Sequence, residues 1–343
     1  MNIEAFFIGG LTAFFAIFAV HILYFRQHPT HFQKVLGGIM AVWALWTVKD
    51  LVFTFPGMYR SDVLRWVMVV DGWSALTYTV FILETTMPRW LTWRRFLLFC
   101  LPFVAFTVLY ALFPTTAVII AYAVFLWCYA WTIVIVSYFR VRRHVRYVRE
   151  NFSNIDEIDL SWLGPVFFFA IVTQLLWLGV SLFSSVAGDV TYYVTALVLW
   201  LVVLHYSWNF KPIALPATVG EQQQQPVVRD YPFAGELEHI INERQLYLER
   251  NLTLADLAQA VSSNRTYVSA YLTQEKGMTF YDYINQLRIE KKSIPLMQEH
   301  PEYTLEHVAY ESGFNSVSTF RRAFVKLRGQ TPSQFLRVAS LTS

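Results

Sequence analysis

Two groups of residues have types and spacing that could do chemistry. The first is a pair of short polar runs near the C-terminus: Asn264, Arg265, Thr266, Ser269 and Thr273, then Asn315, Ser316, Ser318, Arg321, Arg322 and Lys326. Arginine carries a planar fork of donors that fits the O6/N7 edge of guanine or a phosphate, while Asn, Ser and Thr bond to either. Residues spaced i, i+1, i+4 and i+8 share one helix face. The chemistry is therefore recognition, with Arg265 the best candidate for a bidentate contact to guanine. The second group is Lys49, Asp50, Asp71, Ser74 and Tyr78, which lie inside long apolar segments. Charge is costly there and marks candidate functional sites. One cation against two carboxylates leaves an acid over, available for a proton or a cationic ligand. A Lys49–Asp71 pair that merely pins two helices is the structural alternative.

The elements that must position the first group are legible as a repeat. "TLADLAQAVSSNRTYVSAYLTQEKGMTFYDY" (253–283) can be laid on "TLEHVAYESGFNSVSTFRRAFVKLRGQTPSQF" (304–335) with one inserted residue. Leu254, Leu257 and Ala258 match Leu305, Val308 and Ala309; Asn264 matches Asn315; Val268 and Leu272 match Phe320 and Phe324; Gly277-x-Thr279 matches Gly329-x-Thr331. Each unit reads as a helix, a tight turn and a second helix starting at an Asn cap. The small Ala258 and Ala309 let the two helices cross closely. This is the helix-turn-helix pattern, whose second helix enters a major groove. Phe314, Phe320 and Phe324 are assigned to the core.

The segment 236–338 resembles the DNA-binding domain of AraC/XylS-type bacterial transcription regulators, most closely over "AYESGFNSVSTFRRAFVKLRGQTPSQF". The resemblance implies two helix-turn-helix units joined by a linker helix, here about 280–298, reading adjacent major grooves on one face of double-stranded DNA. Three departures stand out. Lys292 sits where the family usually has alanine, Pro295 falls inside the linker helix, and Ser262 replaces the usual turn glycine of the first unit. An interior proline is expected to kink or end the linker, which puts the angle between the units in question. Residues 233–343 carry 12 basic and 12 acidic residues, yet from 313 onward Arg321, Arg322, Lys326, Arg328 and Arg337 face no acid. A basic end of this kind is the footprint of phosphate contact.

Upstream, the chain reads as the interior of a bilayer. Seven apolar segments, about 4–25, 35–55, 63–84, 96–113, 116–139, 162–187 and 190–208, reach the ~20 residues a helix needs to cross. Basic residues crowd the first, third and fifth loops (Arg26, Lys34, Arg89, Arg94, Arg95, and five arginines over 140–149), whereas the fourth and sixth hold none. That alternation puts the N-terminus outside and residue 209 onward in the cytoplasm. "MNIEAFFIGGL" carries an acid where a signal peptide has a cation, so it is expected to be a retained first span. Residues 211–232, with four prolines and a glutamine tract, read as a flexible tether reaching about 26 Å. The expected fold class is all-α: a seven-helix transmembrane domain over 1–210, the tether, and a soluble double helix-turn-helix domain over 233–343. Lys49 and Asp50, and Asp71, fall roughly 9 and 12 Å below the outer surface.

The composition, 55% hydrophobic and 15% charged, averages two unlike halves. Cys100 and Cys128 both lie in apolar runs, which argues against a disulfide framework or a thiolate metal site. No H-E-x-x-H, nucleophile elbow, phosphate-binding glycine loop or kinase motif set occurs, so neither a catalytic residue, a cofactor nor a metal is expected. The expectation is a one-component sensor in the bacterial cytoplasmic membrane. Its partners would be double-stranded DNA, the bilayer, a small-molecule or lipid signal, a second copy of the chain and RNA polymerase. The basic loop 140–149 is expected either to bind anionic lipid or to dock the acidic end of the reader. A transporter or membrane enzyme with an autoregulatory DNA-binding tail is the alternative, and a factor released by cleavage in the tether is a third.

Overall fold

The structure is a computed structural model that describes residues 3–53, 55, 61–183, 186–215 and 231–342. Among these, no strand forms beyond one isolated antiparallel bridge between Phe152 and Thr253. The chain divides into two compact units. One is Met1–Arg142 with Leu160–Ala214; the other is Arg143–Asp159 with Leu215–Ser343.

The first unit consists of α1 (Ile3–Val20), α2 (His31–Phe53), α3 (Ser61–Gly72), α4 (Ser74–Thr86), α5 (Trp93–Leu112), α7 (Leu163–Phe183), α8 (Val186–Ser207) and the first part of α6 (Thr116–Asn151). Six helical stretches among the described residues are long and apolar enough to cross a membrane: 3–25, 31–52, 65–86, 93–112, 116–151 and 187–207. The expected segment 162–187 is also helical in α7, with Leu163–Thr173 as its described apolar stretch. Aromatic packing ties the helices together. Phe15 is fully buried between Trp43 and Trp200, and Phe103 packs against Trp73, Phe125 and Tyr129. Buried Glu84 accepts the Arg89 and Leu91 backbone N–H groups at 2.8 and 2.9 Å and meets His31 Nδ1 at 2.7 Å. Glu84 and His31 therefore secure a loop end, as a satisfied polar network would.

The second unit holds α9 (Ala234–Glu243), α10 (Leu254–Ala260), α11 (Arg265–Gln274), α12 (Phe280–Leu287), α13 (Ile294–Glu299), α14 (Leu305–Glu311), α15 (Val317–Arg328) and α16 (Pro332–Thr342). It has two small cores. Leu237, Ile241, Leu257, Val268, Leu272 and Ile284 fill the first; Val308, Ala309, Phe314, Phe320 and Phe324 fill the second. The three phenylalanines are packing residues, as their helical spacing suggests. Tyr231 also joins the first core, with its hydroxyl donating to Gln274 Oε1 at 2.8 Å. Most of the expected tether, residues 216–230, lies outside the described residues.

Pro295 does not end the linker. Proline lacks an N–H, and its ring collides with the carbonyl four residues back in a regular α-helix. The chain widens into a π-turn over Arg288–Ser293, and Ser293 Oγ donates to the Arg288 carbonyl at 3.1 Å. Ser293 and Ile294 keep helical dihedrals, so α12 runs through the π-turn into α13. Lys292 is half-buried on this path.

Candidate nucleic-acid interface

Each reading helix is set by a cap, a turn and a buried apolar stripe. Thr253 and Asp256 form a capping box that starts α10, and Thr304 accepts the His307 N–H at 3.2 Å to start α14. Both turns then pass through the left-handed region, at Ser262 (φ 50°) and Gly313 (φ 82°). Serine thus adopts the geometry of the glycine it replaces, at a cost a glycine would not bear. Asn264 caps α11, accepting the Tyr267 N–H at 2.9 Å.

In the second unit the cap falls one residue later than the repeat suggests. Ser316, not Asn315, caps α15 by accepting the Thr319 N–H at 3.2 Å. The inserted residue lengthens the second turn, so Asn264 corresponds in space to Ser316. Asn315 instead donates to Asn251 Oδ1 at 3.2 Å, just ahead of the first helix-turn-helix unit. The Gly-x-Thr pairs then repeat closely: Gly277 and Gly329 are left-handed, and Thr279 and Thr331 cap α12 and accept the Gln334 N–H.

Val268 and Leu272 turn inward from α11, leaving Asn264, Arg265 and Thr273 exposed with Thr266 and Ser269 partly so. On α15, Phe320 and Phe324 are buried, and Ser318, Arg321 and Arg322 are exposed. Arg322 also donates to Thr319 Oγ1 at 3.0 Å. Lys326 forms an ion pair with Asp282 of α12 at 2.7 Å, which offsets part of its charge. Thr319, not among the residues singled out by type and spacing, is buried at the start of α15. A hydroxyl at the third position of the helix, one turn before Arg322, could have signalled it.

Arg288 of the π-turn is the largest fully buried side chain in the molecule's described residues and touches both helix-turn-helix units. It donates to the carbonyls of Tyr247 at 2.6 Å and Glu249 at 2.7 Å, and its charge lies 5.5 Å from the Phe314 ring centroid. Burial pushes its guanidinium down to about 10, so it still carries its charge at neutral pH.

The second candidate group lies in the first unit. Lys49 Nζ sits between both carboxylates, 2.5 Å from Asp50 and 2.8 Å from Asp71. Trp46 Nε1 donates to Asp71 at 3.2 Å. Ser74 opens α4, with its carbonyl accepting from Thr77, and the Tyr78 ring packs against Trp43 and Trp200. Among the described residues no cluster of three or more His, Cys, Asp or Glu could hold a metal ion.

Two capped helix pairs with exposed polar second helices, joined by one linker, define a double helix-turn-helix DNA-binding domain. Residues 257–337 match the family model described as a helix-turn-helix domain, and this C-terminal region resembles the AraC-type helix-turn-helix domain. An uncharacterized HTH-type transcriptional regulator of Staphylococcus aureus (strain COL) is 29% identical over 91 residues, 26% of this chain and 12% of the relative. The uncharacterized HTH-type transcriptional regulator YdeC of Bacillus subtilis (strain 168) is 29% identical over 104 residues, 30% of this chain and 35% of the relative. The chain therefore spans only a small part of the length of the curated relatives it matches. No solved structure matches it.

Proposed function

We propose that the chain is a membrane-anchored, sequence-specific transcriptional regulator that senses a signal through its apolar domain and reads DNA through its C-terminal domain. The observation that carries this reading is the presence, on one chain, of six membrane-length apolar helices among the described residues and a double helix-turn-helix domain. The loop-charge alternation supports an N-terminus outside and the reader in the cytoplasm. In this reading Asn264, Arg265, Thr266, Ser269 and Thr273 meet one major groove. Asn315, Ser316, Ser318, Arg321, Arg322 and Lys326 meet the next. The Lys49–Asp50–Asp71 cluster, with Ser74 and Tyr78, is the site at which an outside ligand or proton acts. A second copy of the chain and RNA polymerase are its protein partners.

Chromatin immunoprecipitation of the tagged full-length chain tests the proposal beside an Arg265→Ala/Arg321→Ala/Arg322→Ala control. Discrete promoter peaks that vanish in the control, from protein that fractionates with the cytoplasmic membrane, are expected. Peaks unchanged in the control would refute the contact assignment, and recovery of the protein in the soluble fraction would refute the anchoring.

A further inference from the structure

Helix α6 continues without a break from its apolar first part through the arginines of 140–149 and ends at Asn151. The residues that follow lie on the reader. Phe152 bridges Thr253, and the Ser153 N–H donates to the Leu252 carbonyl at 3.1 Å. Asn154 donates to Asn251 Oδ1 at 3.1 Å, the same oxygen that Asn315 uses. Arg288 donates to the Ser153 carbonyl and Oγ, both at 3.3 Å, so two of its hydrogen bonds go to this segment. The Asp156 carboxylate accepts from Thr319 Oγ1 and lies 3.7 Å from the Arg322 guanidinium, with its side chain only 19% exposed.

Thr319 and Arg322 occupy the first turn and a half of the second reading helix. A hydroxyl and a guanidinium beside a helix N-terminus are the groups with which such a helix holds a DNA phosphate. Here a carboxylate of the same chain holds them. We infer that residues 152–156 form an internal plug for the reader, in which Asp156 takes the place of a DNA phosphate on α15, and that DNA binding requires the plug to leave. A carboxylate and a phosphate cannot share one Thr–Arg pair, because two anions at contact distance repel. Among the described residues no hydrogen bond or ion pair joins Arg321, Arg265 or the exposed face of α11 to the plug, so the plugged reader retains weak binding through them. Because the plug begins where α6 ends, a shift of that helix is transmitted to it through the backbone.

The inference rests on α15 reading DNA, and the experiment separates the two claims. The full-length chain is reconstituted in nanodiscs, and affinity for a fluorescein-labelled 30-base-pair duplex pool of mixed sequence is measured over a range of salt. The variants are Asp156→Ala, Glu157→Ala, Arg321→Ala and Asp156→Ala/Arg321→Ala. Asp156→Ala is expected to bind about tenfold more tightly than the parent, with a salt slope steeper by about one as Arg322 gains a phosphate. Glu157→Ala removes the same charge one residue away and is expected to change affinity far less. Parent-like affinity in Asp156→Ala, or equal tightening in Glu157→Ala, would overturn the plug while leaving α15 as a reader if Arg321→Ala weakens binding. No loss in either Arg321→Ala variant would overturn the assignment of α15 and the plug with it.

Discussion

Gly313 carries two separable constraints, and replacing it with alanine measures both. Its φ of +82° lies in the left-handed region, where a Cβ costs roughly 1–2 kcal/mol. A Cβ built there would also lie 2.7 Å from the Leu248 carbonyl oxygen and 3.0 Å from Leu248 C and Cα, all backbone atoms. Leu248 cannot easily retreat. It ends a short 3-10 turn, Leu246–Leu248, whose Tyr247 carbonyl and following Glu249 carbonyl are both held by Arg288. Overpacking against a fixed wall adds about 1–3 kcal/mol. Gly329 is the internal control, with a φ of +71° and no atom within 4 Å of an added Cβ.

Gly329→Ala should therefore cost about 1–2 kcal/mol and Gly313→Ala about 2–5 kcal/mol. The assay is pulse proteolysis of the membrane-reconstituted chain in urea, following a C-terminal tag. An excess of ~2 kcal/mol at a slope of ~1.5 kcal/mol/M places the Gly313→Ala midpoint about 1.3 M below that of Gly329→Ala. Ser262→Gly should move the other way, raising stability by up to ~1 kcal/mol, because Ser262 is held at φ +50°. Equal midpoints for the two Gly→Ala variants would refute the close approach of Gly313 to Leu248. The brace between the two units would then lie elsewhere.

Other outcomes follow from the same geometry. Arg265→Ala should relax specificity at one base pair by about 1–3 kcal/mol while leaving the rest of the site intact, read from a binding-site selection. Asp71→Asn should abolish the response to the inducing condition while the protein remains inserted, checked by a promoter reporter beside membrane fractionation; loss of insertion would assign the Lys49–Asp71 pair a purely structural role. Burial raises the Tyr283 hydroxyl to about 12. The folded state then keeps a proton that the unfolded chain has lost above pH ~10, and stability falls between pH 10 and 12 by up to ~1.4 kcal/mol per unit. Tyr283→Phe should flatten that fall in urea midpoints taken at pH 9, 10 and 11, although Tyr231, Tyr247 and Tyr281 are pushed the same way by burial and leave a residual slope.

The reader was legible because its signals are local. A cap, a left-handed turn and a 3.6-residue apolar stripe each occupy a few consecutive residues, and the chain states them twice. Where a signal depends on what lies across the fold, the sequence misled. The repeat aligned Asn315 with Asn264, but a one-residue insertion is silent about which side of Asn315 it falls on. Packing of Phe314 and Phe320 decides that, and it moves the cap to Ser316. Pro295 promised a break on local grounds alone, yet the Ser293 hydroxyl and a π-turn absorb it. Lys49 and Asp71 were visible as charges out of place, since an apolar run makes any charge conspicuous.

The segment after α6 is the opposite case. "FSNIDEID" reads as an ordinary polar loop, and its acids gave no reason to expect a partner more than 160 residues away. From the sequence, the basic stretch 140–149 is expected either to bind anionic lipid or to dock the acidic end of the reader. The contacts that the structure shows join one acidic residue just beyond it, Asp156, to Thr319 and Arg322 of α15. Arg288 explains why the segment is held in register. A guanidinium buried this deeply needs acceptors for its donors, and those beyond Tyr247, Glu249 and Asn285 come from Ser153. The residue that touches both helix-turn-helix units is thereby also the residue that holds the plug. Withdrawal of Ser153 would leave Arg288 short of acceptors until water replaced them. In the inferred mechanism the group satisfied in one state by its own chain and in the other by DNA is the Thr319–Arg322 pair, and the buried Arg288 adds a cost to releasing the plug.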